Sequence, residues 1–121
     1  MKKETKAQIE ICNNPYNDTE TLEIKQSPGG IRMSFDNGNT ISIQWGMGNY
    51  SSTRFIGEPT LTCTSAEISI WDENNEWARI NETEECVKGW VNPDEIARLI
   101  NLTCNNTIPE INEIMEQSFK K

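Results

Sequence analysis

Apolar and polar residues alternate in IRMSFDNGNTISIQW, which starts at residue 31 and carries the turn signal DNG near its centre. Alternation with a period of two is typical of half-buried strands. A two-residue turn would place Phe35 opposite Thr40, so that apolar side chains of one strand would face polar side chains of the other. A three-residue loop that ends with Gly38 in a left-handed bulge instead pairs Met33 with Ile41. The sequence therefore predicts a bulged hairpin.

A second hairpin is predicted in AEISIWDENNEWARI, which starts at residue 66. A three-residue loop that ends with Asn75 in the left-handed conformation, which asparagine tolerates, pairs Ile70 with Ala78. On the other face of the sheet this register places Trp71 opposite Trp77. Two adjacent exposed tryptophans would form an adhesive patch, so we expect the pair to be covered by a helix, a second subunit or a ligand.

Three further segments have strand patterns. AQIEI, which starts at residue 7, alternates and places Ala7, Ile9 and Ile11 on one face. TLEIK, which starts at residue 21, and CVKGWV, which starts at residue 86, are shorter apolar stretches next to turn-rich sequence. We expect each of them to form a strand.

The last third of the chain carries two helix starts. Asn92 is a candidate N-cap that is followed by Pro93, and Thr107 and Glu110 have the spacing of a capping box. The second helix is amphipathic, so it can pack on its own sheet or on a second copy of the protein. The predicted fold class is α+β: one domain over residues 1–121, with an antiparallel sheet of hairpins to about residue 91 and helices over about 93–103 and 108–119.

Composition and charge narrow the classes of function. The chain has 121 residues and a formal net charge of −8. This balance argues against direct binding of a nucleic-acid backbone, which needs a basic face. An acidic surface suits a basic protein partner, or serves solubility alone. There is no run of about 18 apolar residues and no apolar region at the N-terminus, so we expect a cytosolic protein that does not enter membranes.

The sequence predicts no metal site and no cofactor. Four cysteines are present, but no pair has CxxC spacing and the chain has no histidine. In a cytosolic protein we expect these cysteines to be reduced thiols. The phosphate-binding patterns GxGxxG and GxxxxGK[ST] are also absent from the sequence.

Catalysis is not expected either. Without histidine the chain lacks the commonest general base near neutral pH. Neighbouring acids such as Glu84 and Glu85 could act as paired carboxylates, but runs of acids usually form a solvated turn. We therefore expect a binding protein that is not an enzyme.

The candidate binding residues are concentrated in the segment that follows the first hairpin. Gly46 and Gly48 expose backbone, Asn49 and Tyr50 offer hydrogen-bonding groups, and Arg54 offers a cation. Together they could hold a small, polar, anionic ligand, because loops after rigid hairpins commonly carry binding sites. Taken singly, each residue is also explained by turn formation or by solvation.

Two residues outside this loop complete the candidate site. The helix start at Asn92 offers free N–H groups that can bind a phosphate, and Trp71 could stack on a base if it lines the same cavity. The alternatives are that Asn92 is a cap alone and that Trp71 is covered by protein.

Three stretches, SFDNGNTISIQWGMGNYSS, AEISIWDENNEW and GWVNPDEIARLI, resemble a family of small phage-encoded proteins over residues 31–101. The shared outline is a strand pair around NG, the motif G-x-G-N-Y, and a closing G-[WY]-V before a helix. Within this family the chain is similar to the proteins that counter Thoeris defence by sequestering cyclic ADP-ribose signals. The resemblance implies a β-rich N-terminal part, C-terminal helices, a homo-oligomer, and action in the host cytoplasm.

Two hypotheses follow. The first is a non-enzymatic sponge that traps a nucleotide-derived immune signal, with Arg54, loop amides and a helix N-terminus on the phosphates and Trp71 on the base. The second is an acidic inhibitor of the anti-CRISPR type, which occupies the basic channel of a host defence nuclease.

Overall fold

A computed structural model describes residues 7–13, 28–46, 49–53, 62–83 and 85–120. Five antiparallel strands form one sheet in the order β1-β2-β3-β4-β5, and two helices follow. The elements are β1 (Gln8–Asn13), β2 (Pro28–Ser34), β3 (Thr40–Gln44), β4 (Ala66–Trp71), β5 (Val87–Val91), α1 (Pro93–Asn105) and α2 (Ile108–Phe119). The α+β fold class is therefore confirmed. The predicted strand TLEIK lies outside the described residues.

The first hairpin has the predicted bulged register. Met33 pairs with Ile41, and Gly38 is left-handed with φ 94°. The Phe35 N–H donates to the Asn39 carbonyl at 2.9 Å and closes the three-residue loop. Because side chains alternate between the two faces of a sheet, this register puts the isoleucines of both strands on the same face.

The second hairpin forms as predicted at its loop but not along residues 76–80, which we call the return limb. Asn75 is left-handed, and the Ala78 N–H donates to the Ile70 carbonyl at 2.8 Å. Trp77 pairs with Trp71 as an isolated bridge, beyond which the chain leaves the sheet. The reason is α2, whose Asn112 accepts the Arg79 N–H at 2.7 Å through Oδ1. The place beside β4 is then taken by β5.

The two helices start where their capping residues predict. Asn92 Oδ1 accepts the Glu95 N–H at 2.9 Å, and Thr107 and Glu110 form a complete capping box. The bounds of α2 agree with the prediction, whereas α1 continues two residues beyond residue 103. In the part of the chain that is described, no helix has the length and apolarity needed to cross a membrane.

One apolar cluster joins the sheet to both helices. Its fully buried members come from β3, β4, the return limb and the helices: Ile41, Ile68, Ile70, Ala78, Ile80, Leu99, Ile111 and Met115. The apolar face of α2 therefore packs on its own sheet. Because the helices cover the centre of the sheet, Ile9 and Ile11 on the edge strand β1 remain 71% and 68% exposed.

The first hairpin loop also holds the C-terminal end of α1. Asn39 is buried, and its Nδ2 donates to the carbonyls of Thr103 at 3.0 Å and Asn106 at 2.6 Å. The last turn of α1 carries no basic side chain, so these bonds satisfy carbonyls that the helix itself leaves without donors. These hydrogen bonds thus join the hairpin loop to the C-terminal end of α1.

Replacing Asn39 with alanine is expected to lower the free energy of unfolding by about 1–2 kcal/mol, because the carbonyls of Thr103 and Asn106 lose one donor and keep only the Asn37 amide. Urea denaturation of the two proteins measures the difference. Asn74→Ala in the other hairpin loop, where the side chain is exposed, is the control and should cost less than about 0.5 kcal/mol. Equal costs for the two substitutions would contradict this description of the loop.

Candidate functional site

The loop after β3 is held by its own polar groups. Gly46 is left-handed with φ 93°, and its N–H donates to Thr53 Oγ1 at 2.7 Å. The Asn49 side chain donates to the Trp45 carbonyl at 2.8 Å. Ser51 and Thr53 are buried, so their hydroxyls stabilise the loop and do not face solvent. Of the residues predicted to bind a ligand, Gly48 and Arg54 lie outside the described residues.

The Tyr50 side chain projects from this loop and contacts Trp90 on β5. Its ring centroid lies 5.3 Å from that of Trp90, with 43° between the ring planes. The Trp90 N–H donates to the Tyr50 carbonyl at 2.7 Å, and the Tyr50 N–H donates to Glu67 Oε2 at 2.7 Å. Tyr50 is 44% and Trp90 58% exposed. We call these two side chains the aromatic platform.

The backbone of Trp90 is strained. Its φ is 51°, in a region that bulky residues rarely adopt. The strain arises where β4 and β5 change register: Ala66 pairs with Val91 and Ile68 with Lys88, which leaves Gly89 and Trp90 opposite one residue of β4. This arrangement is a β-bulge, and bulges re-aim side chains. It turns the Trp90 ring towards Tyr50 and solvent.

Gly89 makes the contact between the loop and β5 possible. A Cβ atom at this position would lie 2.5 Å from Tyr50 Cβ and 3.2 Å from the Tyr50 carbonyl oxygen. No larger residue fits unless the backbone moves. The pairing of Tyr50 with Trp90 therefore depends on a glycine that lies 39 positions away from Tyr50 in the chain.

Asn92 lies two residues after Trp90 and caps α1. Its Oδ1 is already used by the Glu95 N–H. The next residue, Pro93, has no N–H, and the first turn carries the carboxylates of Asp94 and Glu95. These acids complement the positive end of the helix. The helix start is consequently a weaker anion site than the sequence suggested.

Trp71 lies at the other end of β4. That strand runs antiparallel to β3, so Glu67 lies beside Gln44 next to the loop, whereas Trp71 lies beside Thr40. The four residues from Glu67 to Trp71 correspond to roughly 13 Å along the strand. Gly46, Asn49, Tyr50 and Asn92 thus share one end of the sheet, and Trp71 lies at the opposite end.

The tryptophan pair itself forms as predicted. The ring centroids of Trp71 and Trp77 lie 4.8 Å apart, with 30° between the planes. Trp71 is partly buried, and Trp77 is 43% exposed. Protein therefore covers Trp71 more fully than Trp77, and Trp77 keeps a solvent-exposed surface.

The Cys63 thiol lies just before β4 and is partly buried. Burial raises the pKa of the Cys63 thiol, which keeps it protonated and weakly nucleophilic at neutral pH. Among the same residues, no three side chains of the metal-ligating types lie close enough together to hold an ion. What the described residues offer at this end of the sheet is a surface for stacking.

Comparison with protein families, curated proteins and solved structures finds no match to the chain. The functional argument therefore depends on the geometry. Sequence reasoning missed Trp90 as a candidate. A signal was present, because a glycine within a predicted strand, as in KGWV, often marks a bulge or a close backbone approach.

Proposed function

We propose that this protein acts by occupancy: it stacks a nucleotide-derived signal of the cyclic ADP-ribose type on the aromatic platform and releases it unchanged. The supporting observation is Trp90, a large exposed ring on a left-handed backbone. Strain of this kind costs about 1–3 kcal/mol and is concentrated at functional sites. Stacking of a base on an aromatic side chain contributes about 1–3 kcal/mol, which is comparable to that cost.

The resemblance to phage proteins supports the same place on the molecule. Its motifs G-x-G-N-Y and G-[WY]-V correspond here to the segments of Tyr50 and Trp90, which contact each other. On this proposal the protein is phage-encoded and works in the host cytoplasm, where it withholds an immune signal from its effector. Arg54 holds the phosphates, since the helix start at Asn92 is largely occupied by its own cap and acids.

The test is capture from an extract of cells whose defence has been triggered. The purified protein is incubated with the extract, washed and heated, and the released molecules are identified by mass spectrometry. Wild-type protein and Trp77→Ala should release a nucleotide that has the same mass as the free nucleotide in the extract. Trp90→Ala should release little nucleotide. An empty wild-type preparation, or equal release from Trp90→Ala, would contradict the proposal.

A second candidate function is inhibition of a host defence nuclease by an acidic surface that occupies its basic channel. The observation that favours it is the net charge of −8. Electrostatic steering makes association fast and sensitive to salt. Raising the ionic strength should slow association sharply for this inhibitor and have a smaller effect on stacking in the first proposal.

We also infer that a second copy of the protein binds the outer edge of β1, which pairs with no strand of the described ranges. Antiparallel pairing centred on Ile9 puts Ile9 opposite Ile9 of the copy, Ala7 opposite Ile11, and Gln8 opposite Glu10. No like charges face each other in this register. Pairing would cover two isoleucines that are otherwise exposed on an open edge, where strands tend to associate.

The double substitution Ile9→Lys and Ile11→Lys should convert this oligomer to monomers, because charges on an edge strand block pairing. Light scattering coupled to size-exclusion chromatography measures the mass. Val87→Lys, which changes an exposed residue of β5, is the control and should leave the oligomer intact. A wild-type protein that is monomeric, or a double variant with unchanged mass, would overturn this inference.

A further inference from the structure

A groove runs between α2 and the return limb of the second hairpin, and its lining includes neither residue of the aromatic platform. It consists of two adjoining hollows of ≈ 530 Å³ and ≈ 390 Å³. Arg79, Asn112 and Glu116 line both of them and mark their junction. The bond from the Arg79 N–H to Asn112 Oδ1 at 2.7 Å fixes the limb to the helix. This bond joins the two sides of the groove.

The length of the groove suits a short peptide. Its lining on α2 and the residue that follows it extends from Ile108 to Lys120, a rise of about 18 Å at 1.5 Å per residue. An extended chain advances about 3.3 Å per residue, so the groove accommodates about five residues of a strand-like segment. Both hollows are partly open to solvent, which fits a peptide segment more closely than an enclosed small molecule.

Carboxylates dominate the lining. Four glutamates line the two hollows, namely Glu76, Glu82, Glu113 and Glu116. The cations are Arg79 at the junction and Lys120 at one end, where Lys120 Nζ lies 3.5 Å from Glu116 Oε1. The net negative charge of the lining favours a cationic occupant and disfavours a nucleotide.

Trp77 provides an aromatic contact in the first hollow. One side of its ring is stacked on Trp71, and the side chain is 43% exposed. A lysine or arginine side chain placed over such a ring is attracted to it by a cation–π interaction. Tryptophan is enriched among the residues that contribute most of the binding energy in protein interfaces.

We propose that this groove binds an extended, basic segment of a partner protein, with lysine or arginine near each end and an acidic or neutral residue at its centre. One basic side chain lies over Trp77 beside Glu113, and another lies in the second hollow between Glu82 and Glu116. Arg79 at the junction repels a cation there and so selects the central residue. This site goes beyond the nucleotide proposal and shares no residue with it.

The test uses fluorescence anisotropy with the labelled heptapeptide KKGDGKK, and with its charge-inverted form EEGKGEE as a control. The wild-type protein should bind the first peptide and should bind the second at least tenfold more weakly. The heptapeptide KKGKGKK should also bind more weakly than KKGDGKK, because its central lysine meets Arg79. Equal binding of KKGDGKK and EEGKGEE would overturn the proposal.

Two sets of variants localise the binding to the groove. Trp77→Ala should weaken binding of KKGDGKK about threefold to fivefold, as expected for the loss of an exposed cation–π contact. Separately, Glu113→Gln combined with Glu116→Gln should weaken it at least tenfold. Asp36→Asn combined with Glu85→Gln changes exposed acids elsewhere by the same net charge and should leave binding within twofold. If this control pair weakens binding as much as the groove pair, the effect is one of overall charge and the proposal fails.

The same variants keep the two sites distinguishable. Trp90→Ala should bind KKGDGKK normally and lose nucleotide capture. Trp77→Ala should bind KKGDGKK more weakly and capture nucleotide normally. Glu113 and Glu116 are both exposed, so the variant with Glu113→Gln and Glu116→Gln should fold even if Trp77→Ala is destabilised. Loss of peptide binding in Trp90→Ala, with circular dichroism unchanged, would contradict a separate groove.

Discussion

Trp90→Gly is expected to be more stable than Trp90→Ala by about 1 kcal/mol, although both variants should bind nucleotide roughly tenfold to a hundredfold more weakly than wild type. Both substitutions remove the indole ring and its tilted contact with the Tyr50 ring. They differ at the backbone, because glycine adopts a φ of 51° freely and alanine does not. The comparison therefore separates backbone strain from ring function.

Urea denaturation measures the stability of the two Trp90 variants, and titration calorimetry measures their affinity for the nucleotide. The stability difference tests the conformation of Trp90, and the affinity tests the role of the ring. Trp77→Ala removes an exposed tryptophan at the other end of the sheet and should bind nucleotide as wild type does. An alanine variant at least as stable as the glycine variant would show that the bulge is unstrained. Trp90 variants that bind nucleotide as tightly as wild type would show that the aromatic platform does not bind it.

Gly89→Ala is expected to cost about 1–3 kcal/mol of stability and to abolish nucleotide capture, because the added methyl group collides with Tyr50. The contact involves Tyr50 Cβ and its carbonyl oxygen, which cannot rotate away as the end of a long side chain can. The loop must therefore move, and the bond from the Trp90 N–H to the Tyr50 carbonyl is lost. The platform is then disassembled without any change to either ring.

A double-mutant cycle tests the cause of this effect. Tyr50→Gly removes the Cβ that Gly89→Ala would meet, so the double variant should be more stable than the sum of the single effects predicts, by at least about 0.5 kcal/mol. It should still fail to capture nucleotide, because Tyr50 is absent. Strict additivity of the two substitutions in urea denaturation would mean that the close approach at Gly89 does not limit the site.

The local part of the fold could be predicted from the sequence. Alternation and the loop residues Gly38 and Asn75 sufficed for both hairpin registers, because register follows from side-chain period and turn type over a few neighbouring residues. The caps at Asn92 and Thr107 are likewise short-range signals, and both helices start after them.

The remainder depends on contacts between distant parts of the chain. The return limb leaves the sheet because Asn112 of α2 takes the Arg79 N–H, which no pattern around residue 79 indicates. Trp90 becomes the partner of Tyr50 through a register shift between β4 and β5 and through the space at Gly89. Trp71 could stack on a base only if it lined the same cavity as the loop, and the direction of β4 instead carries it to the opposite end of the sheet.

Recovery of the captured nucleotide after incubation tests the claim of occupancy most directly. The nucleotide is purified from the wild-type capture, added back in tenfold excess, incubated for hours and recovered after denaturation of the protein. Unchanged mass throughout, with one molecule held per chain at saturation, is the expected result. Conversion of the excess to a molecule of different mass would show turnover and contradict the account.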